Sequence, residues 1–148
     1  MKYTLLAILL LSLGFASCKK EEITPDPVPF QRVQIPFTGN WQRQFEAGPG
    51  NTHTSQYAIY QDSIRYVLAG PIGKANYLLL RDTFLLDKNR FIGHTSANQH
   101  YLIFVKEFAG DSISIYKQEI ESISEGLSLD VPDDSTGANF GWGTYYRK

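Results

Sequence analysis

The 148-residue chain has a single cysteine, Cys18, so an intramolecular disulfide is impossible. It also lacks a charge excess of either sign, with 14 Lys and Arg against 15 Asp and Glu and a formal net charge of -1. That balance argues against a strongly basic surface, and no nucleic-acid partner is expected. The usual catalytic signatures are missing as well: there is no G-x-S-x-G, no H-E-x-x-H, no phosphate loop and no C-x-x-C. No enzyme and no cofactor are therefore expected. What the chain does have is apolar and aromatic content, 43% and 14% of its residues, which excludes disorder and a coiled coil.

Its only long apolar run is at the N-terminus. Met1-Lys2-Tyr3 carries one positive side chain, and Thr4 to Phe15 is apolar throughout except for Ser12 and small residues. A run of about a dozen residues has the length of a signal peptide and falls short of the roughly 20 that span a bilayer as a helix. Phe15-Ala16-Ser17-Cys18 follows directly. This tetrad resembles the lipobox of bacterial lipoproteins, which implies cleavage before Cys18 and diacylglycerol on its thiol. Stable anchoring takes two lipid chains, and a diacylated Cys18 meets that requirement. Lys19-Lys20-Glu21-Glu22 resembles the charged signal that carries lipoproteins to the outer surface of some Gram-negative bacteria. The implied location is the outer membrane, lipid-anchored and facing outward.

Pro25, Pro27, Pro29 and Pro36 then interrupt any helix or sheet. The chain divides into a signal peptide (1–17), a lipidated cysteine with a proline-rich tether (18–36) and a folded domain (37–148). That domain reads as short strands separated by turns. The strands are placed over Gly39–Phe45, Ser55–Tyr60, Ile64–Ala69, Asn76–Leu86 with a bend at Arg81-Asp82, Arg90–His94, Tyr101–Phe108, Ser112–Tyr116 and Phe140–Arg147. Ile120, Ile123 and Leu127 recur at three and four residues and predict a helix over Lys117–Leu127. The expected fold is mainly β, an antiparallel meander closing into a barrel, with one short helix before the last strand.

Gly39-Asn40-Trp41 on the first strand resembles the G-x-W motif of lipocalins and related calycin barrels. The resemblance implies that Trp41 closes one end of the barrel with a basic residue of the last strand over it, a role that falls to Arg147. The helix departs from the lipocalin pattern, where it follows the eighth strand. The resemblance further implies binding of a small apolar or amphipathic ligand in the barrel mouth. The other reading is a non-catalytic interaction module docking to a cell-envelope protein complex.

Tyrosine combines a large contact area with a polar tip, and Tyr66, Tyr77 and Tyr101 are the candidate ligand-binding residues. His53, His94 and His100 are the only imidazoles, and the last two flank a predicted turn. With Asp111 they could supply four zinc ligands, but no spacing demands it and no metal site is expected. Asp130-Val131-Pro132-Asp133-Asp134-Ser135 lacks the spacing of a calcium loop and reads as solvated. Asp82, Glu107 and Glu119 are glycosidase candidates by residue type alone.

Overall fold

The computed structural model describes residues 32–71, 73–133 and 141–148. The signal segment, Cys18 and the prolines at 25, 27 and 29 lie outside the described residues. Eight strands form the domain: β1 (Gly39–Glu46), β2 (Thr52–Ile59), β3 (Ser63–Gly70), β4 (Gly73–Leu85), β5 (Arg90–His94), β6 (His100–Ala109), β7 (Ser112–Ile120) and β8 (Gly143–Arg147). Each pairs antiparallel with the next, and β8 returns to β1, so the meander closes into a barrel. Closure removes the open edges that a free sheet of this length would expose.

Strand alternation sorts the side chains. Trp41, Tyr57, Ile59, Ile64, Tyr66, Leu79, Phe91, Ile103, Ile113, Ile115 and Tyr145 point inward and form one core. Most of that packing lies at the end where β1 begins and β8 finishes. There the Arg147 guanidinium sits 4.4 Å over the Trp41 ring, and the Trp41 indole donates to the Phe37 carbonyl at 3.1 Å. Phe37 meets Phe84 edge-on, and the Phe108 ring is tilted against it at 5.7 Å. This end is the barrel's closed end; the opposite one is its mouth.

The compact unit begins at Arg32, ahead of the boundary expected at residue 37. Ile35 and Phe37 are both buried. Gln61 clamps Ile35 from both sides, accepting from its amide at 2.8 Å and donating to its carbonyl at 3.0 Å. Arg81 holds the same segment through the Val33 carbonyl at 2.9 Å. The last residues assigned to the tether are thus part of the fold, because Ile35 is buried there beside Phe37, the first residue assigned to the domain.

The helix α1 (Ile123–Ser128) is shorter than expected and starts later. Lys117–Ile120 continue β7 as a strand, pairing in turn with Ile103, Leu102, Tyr101 and His100 of β6. Ile120 belongs to the helix-like spacing only by coincidence: it is the last outward residue of β7, and α1 lands on it. Ser122 caps the helix by accepting from the Glu125 amide at 3.2 Å, while the Glu125 carboxylate accepts from the Glu121 amide at 2.6 Å. This is capping-box chemistry, so Ser122 starts the helix. Gly126 faces Ile92 and Ile120 so closely that a Cβ would clash with both. Arg90, on the outer face of β5, secures the helix end by donating to the carbonyls of Gly126 at 2.6 Å, Leu127 at 2.7 Å and Leu129. Carbonyls in the last turn have no partner within a helix, and a buried guanidinium supplies one. The final strand starts at Gly143, and Phe140 lies outside the described residues.

Three outcomes follow from the closed end. A chain starting at Arg32 keeps the stability of the longer one, whereas one starting at Thr38 loses two buried anchors and about 3–6 kcal/mol, read by urea unfolding. Trp41→Ala costs about 3–5 kcal/mol. Arg147→Ala leaves the fold intact but opens the Trp41 indole to a soluble quencher, with Trp142 substituted so that a single indole reports.

Candidate ligand site at the barrel mouth

Near the mouth the inner wall changes from aliphatic to phenolic. Tyr57 pairs with Tyr66 across β2–β3, and Tyr66 with Tyr77 across β3–β4. Their ring centroids lie 4.9 and 5.2 Å apart. Tyr145 meets Tyr57 edge-on at 5.1 Å, and Tyr101 stacks on Tyr77 at 5.2 Å. Inward positions at one level of five strands are thus filled by tyrosine, making a belt around the barrel. Cross-strand pairing of this kind follows from the register alone.

Lys117 enters the belt from β7. Its ammonium lies 3.7 Å from the Tyr66 ring centroid, 5.1 Å from Tyr77 and 5.5 Å from Tyr101. It also donates to the Tyr77 hydroxyl at 2.5 Å. The three tyrosines singled out from sequence therefore do come together, around a lysine that sequence reasoning had placed on a helix. Strand alternation would have found it: Ile113, Ile115 and Lys117 share one face once β7 runs on to Ile120.

Above the belt is a half-open cavity of about 290 Å³. Phe45, Leu68 and Ala75 form its apolar wall, and Ser55, Tyr57, Tyr66 and Tyr145 its hydroxyl-bearing one. Arg43 and Lys117 are its two cations. The Ser55 hydroxyl and the Tyr145 hydroxyl are 3.0 Å apart and bonded. Gly143 leaves room for the Arg43 guanidinium, which a Cβ at that position would strike. Tyr77 and Tyr101 do not line the cavity; they stand behind Lys117 and hold it.

Burial sets the electrostatics. Desolvation pulls the Lys117 ammonium down to about 8 from its ordinary 10.5, with Glu119 opposing. It pushes the phenols of Tyr57, Tyr66, Tyr77, Tyr101 and Tyr145 upward, so all five are neutral donors at physiological pH. A neutral phenol belt with one ammonium inside is a setting for an anionic group, which would add to the counter-charge that Glu119 supplies to the lysine.

The histidines separate. His53 is buried beneath Phe45, its ring stacked on it at 5.5 Å, against a Gly70 that could carry no side chain there. His94 and His100 face each other on the outer wall as partners across β5–β6, joined by Asp82 of β4 and not by Asp111. Asp111 lies at the closed end, 3.8 Å from Arg147. The carboxylates considered as a pair are dispersed: Asp82 is on the outer wall, Glu119 faces inward beside Tyr101, and Glu107 accepts from Ser114 at 3.1 Å. Of the acidic loop, Asp134 and Ser135 lie outside the described residues. The group Asp82, His94 and His100 is the arrangement among the described residues that could hold a metal ion.

Lys117 yields a signed expectation. Its folded value, about 8, lies below the ordinary 10.5 that the unfolded chain keeps. Between those pH values the unfolded chain holds the extra proton, so stability rises with pH from about 8 to about 10. Above about 10 the raised tyrosines reverse the trend, because unfolding then releases their protons. Lys117→Met removes the rise and stabilises the protein at pH 7 by about 1–3 kcal/mol, the cost of a desolvated ammonium less its contacts with the rings. Thermal melts of both proteins across this range read the difference. No family model matches the chain, and no curated protein and no solved structure matches it either.

Proposed function

We propose that this protein is a non-catalytic, ligand-binding lipoprotein, held to the outer membrane through lipid on Cys18 and facing the cell surface. Its barrel mouth takes a small amphipathic molecule whose anionic end reaches Lys117 and whose apolar body lies against Phe45, Leu68 and Ala75. The supporting observation is the cavity of about 290 Å³, in which a lysine stands against tyrosines at the level where the inner wall carries hydroxyls. A core chosen for stability alone has no use for a desolvated ammonium there, since apolar residues of similar volume pack at least as well. The closed end, with Arg147 over Trp41, accords with the lipocalin-like reading of Gly39-Asn40-Trp41. The lipobox and the charged residues after Cys18 support the anchor and its address.

A second reading, docking to a cell-envelope protein, draws on Leu78 and Leu80. These are 46% and 47% exposed on the outer face of β4, a neighbouring apolar pair that a partner would cover.

One set of experiments separates the parts of this proposal. Cys18→Ala should release the protein from the membrane fraction and remove the mass of the lipid. Aromatic and short aliphatic carboxylates at millimolar concentration should raise the melting temperature, and the corresponding neutral amides should bind about tenfold more weakly. Lys117→Met should abolish that preference. Equal binding of acid and amide, or of wild type and variant, refutes the anionic-ligand reading. Loss of a co-purifying envelope protein in Leu80→Ser, with no ligand response in the wild type, would favour docking.

A further inference from the structure

We propose that Asp82, His94 and His100 form a binding site for a divalent metal ion of the zinc class on the outer wall of the barrel, separate from the mouth. The site arises from two features of the sheet. His94 and His100 are register partners across the β5–β6 hairpin, so their imidazoles stand on one face, with ring centroids 5.9 Å apart. The hairpin turn between them is fixed, with the Thr95 amide donating to Gln99 at 2.9 Å and the Thr95 hydroxyl accepting from the Ala97 and Gln99 amides. The register of β4 against β5 shifts between Arg81 and Thr83, and the extra residue is Asp82. A bulge re-aims a side chain, and this one turns the carboxylate onto the histidine pair.

The unmet polar atoms point to an ion. Asp82 Oδ1 bonds His94 Nδ1 at 2.7 Å, which leaves Oδ2. Asp82 Oδ2 and His100 Nδ1 lie 3.5 Å apart, both buried and both without a hydrogen-bond partner. In a tetrahedral zinc site, bonds of about 2.0–2.2 Å place neighbouring ligand atoms about 3.4 Å apart. The separation across this gap is already close to that edge. One donor atom from each of the three residues falls within 4.8 Å of the others, so a small rotation of His94 completes three ligands. The set of two imidazoles and a carboxylate suits zinc, cobalt or nickel better than calcium or magnesium, which favour oxygen. The side chains of His94, His100 and Asp82 are 30%, 24% and 15% exposed, so an ion could enter, and the fourth position would open to solvent.

The test uses the full chain in detergent, stripped with a chelator and titrated with zinc chloride by calorimetry and with cobalt by visible absorption. Binding of one ion per chain is expected, with the intense visible bands of four-coordinate cobalt and a rise in melting temperature. His100→Gln and Asp82→Asn should each weaken zinc by about tenfold or more. Both positions are partly exposed, and circular dichroism shows whether each variant keeps the barrel. Cys18→Ala should bind zinc as the parent does, which removes the thiol as a ligand. Nitrogen NMR of the imidazoles should show both His94 and His100 shifting on zinc addition, with His53 unmoved. The proposal is overturned by no saturable binding, by zinc affinity unchanged in His100→Gln, or by loss of binding in Cys18→Ala.

Discussion

The barrel depends on a short seam. β8 joins β1 through only two register pairs, Trp41 with Arg147 and Gln42 with Tyr146. Five residues of β8 must close a sheet whose other neighbours pair over longer stretches. The seam is reinforced from inside and at its end. The Arg147 guanidinium lies on the Trp41 ring, and the Lys148 amide donates to the Asn40 carbonyl at 3.0 Å. Gly39 lies so near this guanidinium that a Cβ would meet it at 2.9 Å, and its φ of 140° suits glycine. Tyr57, Tyr66 and Tyr77 meet through the register of adjacent strands, but Tyr145 reaches Tyr57 across β1 only because the seam joins β8 to β1.

The two ends of the barrel are built for different purposes. Ile35, Phe37, Phe84 and Trp41 fill the closed end, where apolar burial contributes most of the stability. At the mouth, aliphatic positions give way to phenols, a serine and two cations. Five neutral phenols tolerate burial because hydroxyls can bond one another and the rings bury large area. An ammonium among them is a different matter, and its contacts with Tyr66, Tyr77 and Tyr101 offset only part of its lost hydration. A side chain that costs stability where an apolar one would not is a sign that the position serves something other than folding.

Much of the architecture could be read from alternation and turn residues. The bend placed at Arg81-Asp82 is the β4 bulge, and the hairpins fall where Gly, Asn and Asp cluster. Where the reading failed, two periodicities overlapped. Ile120 fits both a strand ending at that residue and a helix passing through it. Choosing the helix hid the inward face of Lys117, and with it the centre of the site. Tyr66, Tyr77 and Tyr101 were identified by residue type, while Arg43, Ser55, Tyr57 and Tyr145 needed the register to bring them to the same level. Asp82 could not be joined to the histidines from sequence, because a bulge decides which way its side chain turns. The packing of Ile35 was hidden by Pro36, whose presence favoured a tether although a proline is compatible with a bend onto the barrel.

The size of the cavity sets a bound on what the mouth could hold and how tightly. A half-open cavity of about 290 Å³ is of the size that takes a small organic molecule, on the order of ten heavy atoms. Small ligands gain roughly 0.4–0.8 kcal/mol per heavy atom in ordinary sites, between the limits for the best small fragments and for drug-sized molecules. Ten atoms then supply about 4–8 kcal/mol, which corresponds to dissociation constants from millimolar to micromolar. One charge-assisted bond to Lys117 accounts for about 1.5–3 kcal/mol of this, so the anionic end would decide whether binding is detectable. On the proposed reading, the ligand would be a compact acid with a short apolar body, held loosely enough to exchange readily.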